Sequence, residues 1–217
     1  MSSPRKVSDS TVRRLSSYLR ILRSLRAEGI PTVSSDRLAE LGGLTSAQVR
    51  KDLSHFGNFG VRGRGYDVGD LHEALSRILG LDRPWPTVVL GAGRLGTALT
   101  SYPDFGTQGF RILALFDTDP AKHGRLFGDA SVRPLEELPE FAREFGVAVG
   151  IITTPGSSAQ EAADRLVEAG ILGILNFAPT TLDVPESVTV RNVNLAIELE
   201  GLSFAIADGG HLPGDDS

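Results

Sequence analysis

The 217-residue chain has no cysteine, which excludes disulfides, thiolate metal sites and a cysteine nucleophile. Long apolar runs are also missing, and none approaches the ~20 residues that cross a bilayer. The opening Met-Ser-Ser-Pro-Arg-Lys passes into a polar, basic stretch without the apolar core of a signal peptide. A cytoplasmic location with no membrane partner is therefore expected. No repeat of solenoid period and no low-complexity tract occurs. Histidine is sparse: His55, His72, His123 and His211 fall in four different segments. No Ser-His-Asp grouping and no metal-ligand spacing can be placed in one site, so neither a catalytic centre nor a metal is expected.

What is present divides sharply by charge. Residues 1–80 carry 13 Lys and Arg against 8 Asp and Glu, a balance of +5. Residues 81–217 carry 9 against 19, a balance of −10, which together give the net −5 of the chain. A basic first third joined to an acidic remainder suggests a polyanion-binding module attached to something that should avoid that polyanion.

Helical spacing of Val12, Leu15, Leu19 and Leu22 predicts a first helix over Asp9–Glu28, stopped by Gly29 and Pro31. A short second helix follows Ser34-Ser35-Asp36 and ends at Gly42-Gly43. A third begins at Thr45, where Thr45 and Gln48 form a capping box. Val49, Leu53 and Phe56 make its buried stripe. Gln48, Lys51 and His55 share the opposite face, with Arg50 and Ser54 beside them. Two short helices around a Gly-Gly turn, the second basic outside, read as a helix-turn-helix. Gly57–Tyr66 reads as a glycine-rich hairpin, a wing whose Arg62 and Arg64 point the same way and suit the narrow minor groove or its phosphates. The competing reading is a helical adaptor with a solvated basic face. A fourth helix, Val68–Leu79, leads to the boundary prolines Pro84 and Pro86.

From Thr87 onward, apolar runs alternate with helical stretches. Val88–Leu90, Ile112–Phe116, Val147–Ile152, Gly173–Phe177 and Val188–Val193 read as strands. Leu95–Ser101, Leu135–Phe145 and Ser157–Ala169 read as helices between them. The fold class predicted is α/β: a winged helix-turn-helix over 1–80, a Rossmann-type doubly wound parallel sheet over 84–194, and a C-terminal helix and tail over 195–217. The first strand of the sheet runs into Gly91-Ala92-Gly93-Arg94-Leu95-Gly96, and the second ends in Asp117. Glycines for the turn, backbone approach and helix packing, followed by an acid for ribose hydroxyls, are the elements of a dinucleotide site. Asp117 favours NADH and NAD+ over their 2′-phosphorylated forms. Thr154-Pro155, Phe105 and Phe177 could wall an apolar nicotinamide pocket, though each of the two aromatics is equally a plain core residue. Two other functions compete: a small NAD-dependent oxidoreductase, and a CoA-binding module suggested by Thr153-Thr-Pro155 and Asn176-Phe-Ala-Pro179.

The combined pattern resembles the Rex family of redox-sensing transcriptional repressors. The first third carries the likeness in Tyr18-Leu-Arg20-Ile-Leu, Gln48-Val-Arg50-Lys51-Asp52-Leu-Ser, Phe56-Gly57 and Gly63-Arg-Gly65-Tyr66. Later stretches are Gly91–Gly96, Tyr102-Pro103, Phe116-Asp117, Asp119-Pro120 and Gly173–Pro179. The resemblance implies a homodimer that binds a palindromic double-stranded operator and is released by NADH. It also implies that Tyr102 and Asn176 belong to the cofactor site, and that the helix over Ala196–Ala207 is exchanged between subunits. Arg20, Tyr102 and the position of Asn194 are implied as a switch. Asn194 departs from the aspartate that many members carry, so the charge on that switch is lost.

Overall fold

A computed structural model of the chain describes residues 7–61 and 64–208. The chain separates into two compact units, Met1–Arg83 and Pro84–Ser217.

Each helix of the first unit starts on a capping side chain. Ser8 opens α1 (Asp9–Ala27), Ser34 opens α2 (Ser35–Gly42), Thr45 opens α3 (Ser46–Ser54) and Asp67 opens α4 (Val68–Ile78). Each accepts from a backbone amide of the first turn that would otherwise lack an acceptor. Strands β1 (Thr32–Val33), β2 (Gly60–Val61) and β3 (Gly65–Asp67) form a small antiparallel sheet in the order β1-β3-β2. The β2–β3 hairpin is the wing. β1 had no signal in the sequence, because two residues are too few for a period. Leu15, Tyr18, Leu19, Leu22 and Leu25 of α1 pack with Leu38, Val49, Leu53, Leu71 and Leu75 in one core. Val12, read as part of that stripe, lies in the first turn of α1 and stays 37% exposed.

The capping box forms only by half. Thr45 Oγ1 accepts from the Gln48 amide at 3.2 Å, but the Gln48 side chain does not return to Thr45. Its Nε2 donates instead to Asp52 Oδ1 at 2.7 Å. A charge-assisted bond is about twice as strong as a neutral one, so the carboxylate captures the amide.

The second unit holds β4 (Trp85–Leu90), α5 (Arg94–Leu99), α6 (Pro103–Thr107), β5 (Phe110–Asp117), β6 (Leu126–Phe127) and β7 (Ala130–Pro134). Then come α7 (Leu138–Phe145), β8 (Val149–Ile152), α8 (Gly156–Glu168), β9 (Gly173–Asn176), β10 (Thr189–Asn192) and α9 (Leu195–Asp208). Seven strands make one sheet in the order β10-β9-β8-β4-β5-β7-β6, parallel throughout except for β6 against β7. Because both faces are covered, β4 and β5 are apolar at successive positions. Val88, Leu90, Ala114 and Phe116 face one cluster, with Leu138, Ala163 and Leu166 of the helices, while Val89 and Leu115 face another.

Several boundaries differ from the sequence reading by one to three residues, and at two of them a proline is involved. Pro86 lies inside β4, and its carbonyl accepts from Ala148 at 3.0 Å, so a proline is tolerated on that ladder. The helix expected from Leu135 begins as a 3-10 turn over Leu135–Glu137 and becomes α-helical only at Leu138. Pro139 has no N–H to return to the Leu135 carbonyl, which interrupts a continuous α-helix. The last helix, α9, buries none of its residues: Leu195, Ile197, Leu199, Leu202 and Phe204 are each more than half exposed.

Candidate functional site

Helix α3 presents a basic outer face. Arg50, Lys51, Ser54 and His55 are exposed, while Val49 and Leu53 turn inward. Arg50 Nη1 donates to Ser35 Oγ at 2.9 Å, tying the guanidinium to the first turn of α2. Arg64 is exposed in the turn at the tip of the wing, and Arg62 lies outside the described residues. Arg50 and Arg64 line one concavity of about 630 Å³ with Ser34, Asn58 and Tyr66. A cleft between a polar helix and a basic wing suits a nucleic-acid backbone.

Gln48 has a different environment from its neighbours, being half-buried and held by Asp52. Asp52 itself is 4% exposed and accepts four bonds. Arg14 grips it at both oxygens, Nε to Oδ2 at 2.6 Å and Nη2 to Oδ1 at 2.8 Å. The Tyr18 hydroxyl adds 3.0 Å to Oδ2, and Gln48 completes the set. Burial alone would raise the Asp52 carboxyl, but the bonds from Arg14, Gln48 and Tyr18 outweigh it and lower its pKa. Burial, then Asp52, raises the Tyr18 hydroxyl. Sequence reading did not single out Asp52 or Arg14. The available signal was an acid four residues after Gln48 on an otherwise basic helix.

In the second unit a cavity of about 620 Å³ opens at the C-terminal ends of β4, β5 and β8. Those strands lie side by side where the chain changes direction across the sheet, the usual place for a ligand in an open α/β fold. Leu90, Gly91 and Gly93 line it on one side, Asp117, Thr118, Asp119 and Lys122 on another, and Thr153, Thr154, Pro155, Ser158 and Glu161 on a third. Gly91 has φ +101°, a conformation that disfavours any side chain. At Gly96 a Cβ would sit 2.0 Å from the Gly91 carbonyl oxygen, so α5 packs against the turn only with glycine there. Gly93 is different, because a Cβ there would meet nothing within 4 Å. Its Cβ position is open space on the cavity wall.

Asp117 is held by three donors. Its Oδ2 accepts from the Ala92 amide at 2.7 Å and from Lys122 Nζ at 2.9 Å, and its Oδ1 accepts from the Asp119 amide at 2.9 Å. Burial alone would raise this carboxyl; the bonds from Lys122 and the Asp119 and Ala92 amides outweigh it and lower its pKa. Thr153 Oγ1 lies 2.8 Å from the Gly91 carbonyl oxygen and staples the turn to β8. Neighbouring Thr154 has its Oγ1 buried without a hydrogen-bond partner. A water or a polar ligand would satisfy such an orphan hydroxyl.

Other sequence-predicted residues lie elsewhere. Arg94 and Leu95 are exposed at the start of α5, and Ala92 contributes through its amide. Asn176 is fully buried, and its side chain is spent on Ala178, Thr180 and Asn192, so it braces the β9 end and does not line the cavity. Phe177 and Phe105 pack with the cluster on the other sheet face. Tyr102 is 49% exposed and sits edge-on to Phe105, with ring centroids 5.0 Å apart. Arg20 is exposed on α1. Asn194 Oδ1 accepts from the Ala196 amide at 3.0 Å, so this amide caps α9. His123 Nε2 lies 2.8 Å from the Asp117 carbonyl oxygen, a bracing contact on the loop. Among the described residues no cluster of His, Asp or Glu could hold a metal, and no helix is long and apolar enough to cross a membrane.

A family model described as the putative DNA-binding protein N-terminus matches residues 6–54, and one described as a CoA binding domain matches residues 82–180. The second description fits the module that a CoA-binding reading expects, but relatives matching both units are named as repressors. The redox-sensing transcriptional repressor Rex of Pelotomaculum thermopropionicum is 50% identical over 199 residues, covering 92% of this chain and 93% of the relative. That of Streptomyces coelicolor is 46% identical over 218 residues, covering 96% and 84%. Among solved structures, the Rex-family repressor RSP in complex with β-NAD+ and operator DNA superposes with a TM-score of 0.89 at 38% identity, covering 95% of each chain. RSP with β-NADH gives 0.84 at 37%, covering 95% of this chain and 97% of RSP. On identity spanning both units, this chain belongs to the Rex family of redox-sensing transcriptional repressors.

Proposed function

We propose that this chain is a cytoplasmic, homodimeric DNA-binding repressor that holds a palindromic operator and is released by NADH, so that it reads the NADH/NAD+ ratio. The carrying observation is that one chain joins a basic recognition helix and wing to a cavity at the strand ends, lined by the glycine turn, Asp117 and Thr154. The reported complexes of RSP with NAD+, NADH and operator DNA support it. The reading is not enzymatic: His123, next to the cavity-lining Lys122, is engaged with backbone, and the relatives are named as repressors.

The residues present fit the cofactor. Asp117 accepts from ribose hydroxyls, amides at the Gly93–Leu95 turn lie at the start of α5 for the pyrophosphate, and Thr154 Oγ1 supplies a polar contact. When bound, the dinucleotide supplies a nicotinamide that is cationic when oxidised and neutral when reduced, a difference that an apolar wall can discriminate. In DNA binding, Arg50, Lys51, Ser54 and His55 face the groove, Arg62 and Arg64 serve the wing, and Gln48 is positioned by Asp52. Arg20, Tyr102 and Asn194 form the switch, with Asn194 contributing an uncharged amide that already caps α9.

Titration of the protein on a palindromic operator with and without NADH tests the whole reading. Arg50→Ala should weaken operator binding by about 1–3 kcal/mol if its contact is bidentate to a base. Lys51→Ala, at a phosphate contact, should lower affinity on every sequence and flatten the salt dependence. Unchanged operator affinity in both variants would remove the winged-helix assignment.

The exposed apolar face of α9 supports a clasp between two copies. Deleting residues 195–217 should give monomers or aggregates, because it removes Leu195, Leu199, Leu202 and Phe204, the apolar residues that would pack on the partner copy. Light scattering reads the outcome, and a soluble dimer after truncation would disprove the clasp.

A further inference from the structure

We infer that Lys122 is a masked receptor for a 2′-phosphate, and that the Asp117 carboxylate alone keeps it from accepting NADPH. This rests on the dinucleotide reading of the cavity and specifies which residues set its cofactor selectivity. Lys122 Nζ stands 2.9 Å from Asp117 Oδ2, and both residues line the same cavity. The two partners are held very differently. Asp117 is anchored by two backbone amides, from Ala92 and Asp119, and its side chain is 9% exposed. Lys122 is anchored through its ammonium by Asp117, and its side chain is 31% exposed on a four-carbon stem. The carboxylate is a fixed wall, and the ammonium is the member that can move.

An acid at the end of the second strand meets the adenosine ribose hydroxyls. A phosphate on the 2′ oxygen adds roughly −1.5 to −2 of charge beside Asp117, which repels it. That same phosphate lies within reach of an ammonium already in the cavity wall. While Asp117 is ionised, Lys122 is neutralised by it. Once that charge is removed, Lys122 has an unpaired ammonium in a half-buried site, and a phosphate becomes its best partner. The selectivity of the site is therefore a balance between two adjacent residues, and an acid-only account assigns it to one.

Calorimetric titration with NADH and NADPH separates these accounts. Asp117→Asn keeps the side-chain volume and one of the two oxygens that accept from the amides. It should bind NADPH at least about tenfold tighter than the unmodified protein does. Adding Lys122→Met should erase that gain. In the otherwise native protein, Lys122→Met leaves the anchored carboxylate unneutralised. It should weaken NADPH more than NADH, raising the ratio of the two dissociation constants by about tenfold. A double variant that keeps the NADPH gain of Asp117→Asn would overturn the role of Lys122. An unchanged ratio in the Lys122→Met single variant would overturn it too, whether or not the Asp117 variants fold. Failure of the unmodified protein to bind NADH would instead remove the dinucleotide reading, and this inference with it.

Discussion

Asp52→Ala should destabilise the DNA-binding unit by about 3 kcal/mol, the low end of the cost of breaking a buried ion pair. The low end applies because Arg14 keeps 24% of its side chain exposed and recovers some hydration. The loss is larger than one bond, because four donors from two helices converge on this carboxylate. Without it the Tyr18 hydroxyl is left buried with no acceptor, and the Gln48 amide is released. Asp52→Asn should cost less, since it keeps a hydrogen-bonding oxygen and loses the charge. The pH dependence has a definite sign. The folded carboxyl lies below its unfolded value, so its stabilisation is complete above the unfolded range near pH ~3.9. It is lost as pH falls through the lower folded value. Hydrogen exchange at amides of α1 and α3 is the local readout, because the single tryptophan, Trp85, lies in the other unit. Unchanged protection in Asp52→Ala would show that the network does not join the two helices. Operator affinity should fall together with that protection, because α1 sets where α3 stands.

This network also marks the limit of what the sequence shows. The helices of the first unit were legible because each has both a period and a cap: Ser8, Ser34, Thr45 and Asp67 precede runs of leucine at helical spacing. The sheet strands β4, β5, β8 and β9 were legible as apolar runs between turn residues. What escaped is of two kinds. Elements of two to five residues, such as β1, β6, β7 and α6, are too short for a period, and only their neighbours decide their pairing. Polar residues satisfied across helices also escaped, because Arg14 and Asp52 are 38 positions apart and neither is unusual on its own helix. In the cavity, Gly91, Gly93, Gly96 and Asp117 could be read from spacing. Lys122 and the orphan Thr154 hydroxyl emerged only as the loop after β5 and the end of β8 came into place. Asn176, which the resemblance assigns to the cofactor site, instead has its side chain bonded to Ala178, Thr180 and Asn192 at the end of β9.

Gly93→Val should abolish NADH binding while leaving the fold intact. The native backbone there has φ −85° and ψ −170°, an extended conformation open to any residue. A Cβ would meet no atom of the protein within 4 Å, so valine is accommodated without strain. Its methyl groups instead fill the space above the turn, beside the amides at the start of α5 that receive the pyrophosphate. The loss should exceed about 100-fold in dissociation constant, since the phosphate must withdraw from those amides. Gly96→Ala is the contrasting control. Its Cβ would lie 2.0 Å from the Gly91 oxygen and 2.7 Å from Thr153 Oγ1, so that variant should lose stability as well as binding. Gly93→Val should therefore keep its melting temperature and its grip on operator DNA, but NADH should no longer release it. Calorimetry for the cofactor and gel-shift titration for the operator read the two halves separately. NADH affinity equal to the unmodified protein in Gly93→Val would mean that the dinucleotide does not lie over this turn.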